Sequence, residues 1–264
     1  MALTNKVIWI TGASSGIGKA LVLELSKQSV KMIISSRNID KLNEVKSLCD
    51  NTDDIAVLKL DLDDYLSLDK VVGKALKLFG SIDILINNGG ISQRSLAIDT
   101  GIEVDTRIFK TNYFGTVALT KALLPYFTAN KKGHFVVVTS VVGKIGTPLR
   151  SSYAASKHAL HGFFDSLRAE VYKDNISVTI ICPGFVNTNV SINALTGDGS
   201  KQNTLDDATK NGLSPEYFAK QMIKAIERKK QEKVIGGKLE ILAVYLKRFL
   251  PRALAKMVRK ASVT

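Results

Sequence analysis

The residues best placed for chemistry lie in SSYAASKHAL, positions 151–160, where Tyr153 and Lys157 stand four apart in an alanine-rich run. On a helix that spacing puts both side chains on one face. A free phenol titrates near ~10 and is a poor base at neutral pH, but a nearby ammonium favours the phenolate and lowers that value. Each unit of lowering corresponds to ~1.36 kcal/mol and brings the group nearer the range useful for proton transfer. The pair therefore predicts a lysine-tuned acid–base phenol, if a reacting partner faces it. A core tyrosine beside a solvated lysine has the same spacing, so the surroundings must decide.

A second group of residues binds rather than reacts. The apolar run VIWI leads directly into T-G-A-S-S-G-I-G, residues 11–18. Gly12, Gly16 and Gly18 let the backbone turn tightly and approach a pyrophosphate, with Ser14, Ser15 and Ile17 completing the loop. The helix that follows offers free N–H donors and a positive dipole end. Between a first strand and a first helix, this pattern reads as a dinucleotide cradle. At the end of the second strand an NAD site usually carries an acid. Here the chain has S-S-R-N. Arg37 offers a guanidinium fork to a 2′-phosphate, with hydroxyls from Ser35 and Ser36, so NADPH is favoured over NADH.

The elements that must position these groups alternate along the chain. VIWI (7–10), VKMIIS (30–35), IAVLKL (55–60), IDILI (82–86), HFVVVTS (134–140) and ISVTIIC (176–182) read as buried strands, with KVIGG (233–237) as a short seventh. Helix-period stretches lie between them. The pattern predicts an α/β, doubly wound Rossmann fold: a seven-stranded, mostly parallel sheet with helices on both faces. Every motif falls at the carboxyl end of a strand, where such sheets bind ligands.

With 264 residues, 45% hydrophobic content and five prolines, the chain suits one domain without a linker. Residues 1–237 are expected to form the dinucleotide-binding and catalytic domain, and 238–264 a basic amphipathic helical extension. Cys49 and Cys182 have no metal or redox spacing, and His134, His158 and His161 form no ligand pattern, so no metal is expected. MALTNK precedes the first strand without a charged leader or apolar anchor, which predicts a cytoplasmic protein. Of the net charge of +13, the last 45 residues carry +10. A basic tail on a near-neutral body points to a surface partner of the tail and not to nucleic acid, for which no module is visible.

Taken in order, TGxxxGIG, Asp61 after the third strand, N-N-G-G (87–90) after the fourth, Asn112, Ser140, Tyr153-x-x-x-Lys157 and Pro183-Gly184 resemble the single-domain branch of the short-chain dehydrogenase/reductase family. The resemblance covers about residues 6–237. NNGGISQRS and SKHALHGFFDSLRAE are similar to the subgroup around the member-seven dehydrogenase/reductases and 11β-hydroxysteroid dehydrogenase, many of which carry an N-terminal membrane anchor. Gly89 stands where the family usually has alanine.

The resemblance implies an oxidoreductase moving hydride between NADP(H) and a carbonyl or alcohol, with Tyr153 as general acid/base. Lys157 would also bind the nicotinamide ribose, Ser140 would hold the substrate oxygen, and Asn112 would position a water for proton relay. Asp61 and Leu62 would contact the adenine, and Asn88 and Gly90 the adenosine ribose. Pro183, Gly184, Val186 and Thr188 would line the nicotinamide carboxamide. Family members commonly form homodimers or homotetramers through the helices holding Asn112 and Tyr153. A cofactor-binding sensor without turnover, or an isomerase or dehydratase, are the competing readings.

Beyond Thr188, the polar segment at about 189–213 is expected to be a mobile cover over the substrate. Ile91, Val141, Val142, Ile145, Pro148 and Leu149 would face it as an apolar wall, favouring a hydrophobic substrate. In the tail, Leu239, Leu242, Leu246, Phe249 and Leu250 recur at helical spacing among seven Lys/Arg between 238 and 260. That stripe would either lie on an anionic membrane surface, placing the protein at the inner face of a membrane, or cover the cleft or a second subunit.

Overall fold

The computed structural model describes residues 3–259, so positions 260–264 of the expected tail helix lie outside the described residues. Seven strands form one sheet: β1 (Val7–Thr11), β2 (Lys31–Ser36), β3 (Ile55–Lys59), β4 (Ile84–Asn87), β5 (Gly133–Val138), β6 (Ile176–Pro183) and β7 (Glu232–Ile235). Their order is β3-β2-β1-β4-β5-β6-β7, and every pairing is parallel. The chain runs outward from β1 to β3, then crosses back to β4 and continues the other way. That reversal opens a crevice beyond the carboxyl ends of β1 and β4.

The strands are uniformly apolar because both faces are covered. Ile8 and Ile10 of β1 face one core, packed with Leu21 of α1 (Gly16–Leu25) and Phe218 and Met222 of α8 (Pro215–Glu227). The alternate residues Val7 and Trp9 face the other, with Leu123 and Phe127 of α5 (Thr116–Ala129) and Phe164 of α6 (Ser151–Glu170). Of the remaining helices, α2 (Ile39–Ser47) lies on the first face and α3 (Leu68–Phe79) on the second. The helix α4 (Ile102–Phe109) passes into α5 through a π-helical turn, Lys110–Gly115, which carries Asn112.

The segment after Thr188 holds α7 (Asp207–Lys210) and buries Ser191, Ala194, Leu195 and Asp206. The tail forms α9 (Lys238–Phe249) and α10 (Pro251–Val258). Ala243 and Leu254 pack on Val141 and Ile145, with Val244 and Leu246 alongside. Of the stripe that would either meet a membrane or cover the cleft or a second subunit, most stays outward: Leu239 is 73% and Phe249 74% exposed, and Leu242 and Leu250 are also exposed. The small side chain of Ala243 lets α9 lie close to the loop after β5, and that approach selects which face turns inward.

Candidate active site

The glycine loop is held open by its own geometry. Gly12 has φ of 64°, a left-handed conformation that costs glycine nothing. At Gly18 a Cβ would lie 2.2 Å from the Gly12 carbonyl oxygen, so only glycine lets α1 begin this close to the turn. Ser15, at the N-cap of α1, makes no capping bond, and the first turn has no acid. The first N–H groups of that helix are therefore open to an anion. The Asn88 side chain braces the loop, donating to the Thr11 and Gly12 carbonyls at 3.0 and 3.2 Å. Thr188, arriving from β6, lies against Gly16, which brings the two ends of the expected cofactor crevice together. These features fit a dinucleotide.

Arg37 is exposed at the end of β2, as the sequence predicts. Ser35 departs from expectation: it is fully buried, and its hydroxyl accepts the Trp9 indole N–H at 2.9 Å. Strand alternation turns it into the core, so of the two serines only Ser36 is left near the surface. Asp61 accepts from the Asp63 N–H, and Leu62 is buried beside Gly89. An alanine Cβ at position 89 would come within 2.8 Å of the Leu62 Cδ1, so Leu62 occupies the room a methyl group would need.

Ser140, Tyr153, Lys157 and Asn112 converge. Tyr153 lies in the first turn of α6, with its phenol near enough to the Ser140 side chain for that hydroxyl to favour the phenolate. The Lys157 Nζ lies 5.8 Å from the centre of the Tyr153 ring and donates to the Val138 carbonyl at 2.9 Å. The Asn112 carboxamide clamps Ile91, accepting from its N–H at 2.8 Å and donating to its carbonyl at 2.9 Å. Asn112 also reaches Ser156, which ties the π-helical turn to α6. Gly90 lies above both Asn112 and Lys157, where a Cβ would stand 3.1 Å from one and 3.5 Å from the other. Pro183 ends β6, Gly184 after it donates to the Ile235 carbonyl, and Val186 is buried.

One electrostatic expectation is overturned. Burial pushes the Tyr153 phenol above its ordinary value, and the Ser140 hydroxyl with the Arg150 and Arg94 charges only partly opposes that. Burial also lowers Lys157, to about 8. One Lys157 donor goes to the Val138 carbonyl, and the cations that favour the phenolate are two arginines the sequence did not mark.

These arginines belong to a polar cluster missed in the sequence. Gln93, fully buried, accepts from the Ser152 and Tyr153 N–H groups at 2.9 and 3.3 Å and so caps the helix that carries the tyrosine. Its neighbour Arg94 pairs with Asp206, and Arg150 approaches the same carboxylate at 3.5 Å. The signal available was the run S-Q-R-S followed by R-S-S, but surface loops carry the same residues. The expected apolar wall is also narrower: Val141 and Ile145 are covered by the tail helices.

Among the described residues, His161, Cys182 and Glu232 bring metal-ligand types together behind the site. Lys144 pairs with Glu232 at 2.6 Å, burial pushes the Cys182 thiol up to about 12, and His161, lowered to about 4 by burial, is neutral. No described helix is long and apolar enough to cross a membrane.

The sequence model of the short chain dehydrogenase family matches residues 6–198. The chain belongs to the short-chain dehydrogenase/reductase family. It is thereby an NAD(P)-dependent oxidoreductase. It is 45% identical to a "Dehydrogenase/reductase SDR family protein 7-like" of Anopheles gambiae, covering 98% of this chain and 83% of that one. It is 41% identical to "Dehydrogenase/reductase SDR family member 7B" of Bos taurus, covering 97% and 82%. The fold matches a short-chain dehydrogenase/reductase of Burkholderia phymatum in complex with NAD, at TM-score 0.83 and 18% identity over 96% of each chain. It also matches a short-chain dehydrogenase of Burkholderia cenocepacia in complex with NADP, at TM-score 0.81 and 20% identity over 99% and 100%.

Proposed function

We propose that this oxidoreductase uses NADP(H) and acts on a hydrophobic carbonyl or secondary alcohol, with Tyr153 as general acid/base. The observation that carries the reading is that Tyr153 lies by both Ser140 and Lys157, with the uncapped N-terminus of α1 following the glycine loop. The nicotinamide supplies or takes the hydride. Ser140 holds the substrate oxygen against the phenol, and Tyr153 gives it a proton in reduction or removes one in oxidation. Because burial favours the protonated phenol, the site as it stands is set for proton donation, the step a carbonyl reduction needs. Lys157 serves the nicotinamide ribose hydroxyls, and the segment at 189–213 excludes water from above.

Arg37 selects the cofactor in this reading. A charge-assisted hydrogen bond contributes about 1.5–3 kcal/mol, or about 10–100-fold. Arg37→Ser should therefore weaken NADPH binding by about that factor and leave NADH binding unchanged, as read by quenching of protein fluorescence. Equal losses for both cofactors would remove Arg37 from the 2′-phosphate.

The outward stripe of the tail supports peripheral membrane contact. Leu239, Leu242, Phe249 and Leu250 are exposed among basic residues, a combination suited to an anionic lipid surface. These side chains do not hold the fold, so the triple substitution Leu239→Glu, Leu242→Glu and Phe249→Glu tests the contact cleanly. The parent chain should sediment with phosphatidylserine vesicles at low salt, and the variant should lose at least tenfold of that binding. Equal partitioning of the two would end the idea.

A further inference from the structure

The residue expected to react sits in the first turn of α6, and that turn cannot satisfy its own backbone. The first N–H groups of a helix have no acceptor within it. Here the Ala154 N–H takes the Arg150 carbonyl, at 2.7 Å. Arg150 is the N-cap residue and makes no side-chain cap bond, and a guanidinium carries no acceptor with which to make one. A serine, threonine, asparagine or aspartate at that place would have supplied it. The N–H groups of Ser152 and Tyr153 are left for another part of the chain.

Gln93 provides the acceptor. Its Oε1 accepts from the Ser152 N–H at 2.9 Å and from the Tyr153 N–H at 3.3 Å, across 59 and 60 positions of sequence. The other end of the amide faces hydroxyls: Nε2 lies 3.0 Å from that of Thr100 and 3.3 Å from those of Ser95 and Ser151. Turned over, the amide would set its NH2 against two N–H groups, so its partners fix its orientation. The side chain is fully buried, and bulk water does not compete for either end. The backbone on both sides is pinned as well. Arg94 N–H donates to the Leu195 carbonyl at 2.8 Å, Leu195 N–H donates to the Ser92 carbonyl at 2.9 Å, and the Arg94 guanidinium pairs with buried Asp206. The cap thus comes from a point shared by the loop after β4 and the substrate segment.

We propose that Gln93 is a positioning residue for Tyr153, acting on the backbone of its turn. By closing both N–H groups at once, it fixes the point from which the ring stands beside Lys157. This deepens the oxidoreductase reading and rests on it for the role of the phenol, while the cap itself rests on distances and burial. The Ser152 hydroxyl, donating to Asp105 of α4, braces the same turn from a second element. Without Gln93 the two N–H groups would draw in water or shift toward another acceptor, and the first turn would move with them. A misplacement of about 1 Å can cost about a hundredfold in rate, so a small movement there reaches the chemistry.

Amide hydrogen exchange in the full chain, read by NMR at Ser152 and Tyr153, tests the cap without a substrate. Gln93→Met keeps the length of the side chain and removes its acceptor. Both amides should then exchange about tenfold faster or more. Gln93→Glu keeps an oxygen at the same reach, the nearby hydroxyls can donate to its second oxygen, and a helix N-terminus favours its charge. It should hold both amides within about threefold of the parent. Parental exchange in Gln93→Met, or equal acceleration in both variants, would overturn the cap. Turnover tests the positioning, with NADPH and whichever of a panel of steroid, retinoid, quinone and aliphatic ketones the parent reduces. Gln93→Met should lower kcat about tenfold or more with KM for NADPH within about twofold, and Gln93→Glu should keep the parental kcat. A parental kcat in Gln93→Met would leave a structural cap and overturn the proposal. Should Gln93→Met fail to fold, Gln93→Asn keeps the amide but withdraws it by one methylene, and the same two changes are expected of it. Undiminished turnover in Tyr153→Phe would end the catalytic reading and leave the exchange result standing, so the two failures are distinguishable.

Discussion

Tyr153→Phe is expected to lose about 10²–10⁴-fold in turnover, the usual contribution of a positioned general acid or base. NADPH binding should stay within a factor of two. The substitution removes one hydroxyl and leaves the ring in its place in α6, so the fold and the glycine loop are untouched. What disappears is the hydroxyl that lies by Ser140, on a ring beside Lys157. NADPH oxidation followed at 340 nm across a panel of steroid, retinoid, quinone and aliphatic ketones reads the first quantity, and fluorescence titration the second. A variant that reduces the same ketone at the parental rate would take Tyr153 out of the mechanism. Parallel loss of cofactor binding would mean that the phenol serves the dinucleotide and not the proton.

The second large effect is expected at the other end of the cofactor crevice. Gly18→Ala would drive a methyl group to 2.2 Å from the Gly12 carbonyl oxygen and 2.8 Å from its carbonyl carbon. Both are backbone atoms and neither can rotate away. The loop must shift or α1 must start elsewhere, and overpacking of this kind costs about 1–3 kcal/mol. Because that strain falls on the N–H groups that would meet the pyrophosphate, NADPH affinity should drop by about a hundredfold. Gly73→Ala is the control. Gly73 lies exposed in α3 with nothing within 4 Å of the added Cβ, so that variant should bind normally and gain about 0.5–1 kcal/mol of stability. Calorimetric titration with NADPH compares the two. Wild-type affinity in Gly18→Ala would show that the loop is a turn and no cradle.

Both predictions start from residues whose roles are written in short-range spacing. Tyr153 and Lys157 share a face because a helix repeats every 3.6 residues, and Gly12 to Gly18 form a loop because a strand ends and a helix begins there. The seven strands were legible for a similar reason, since a strand buried on both faces leaves an unbroken apolar run. Only the register and the fully parallel pairing had to come from the fold.

Other features depend on residues far apart in the chain. Arg94 and Asp206 are 112 positions apart, and nothing local distinguishes them from solvated loop residues. Ser35 reads as a phosphate ligand beside Arg37 until strand alternation turns it toward Trp9. In the tail, spacing shows that α9 is amphipathic, while the close contact of Ala243 with Val141 and Ile145 decides which stripe is covered.

The amino-acid order alone determined the sheet, the glycine turn and the spacing of the tyrosine–lysine pair, because each follows from backbone periodicity over a few residues, while the order of the motifs carried the resemblance to the family. Tertiary structure alone decided the direction in which the phenol is shifted and the identity of the charges that act on it. The physical reason is that desolvation and Coulomb interactions depend on distance through space and on exclusion of water. Both are set only when the segment after Thr188 folds down onto the loop after β4.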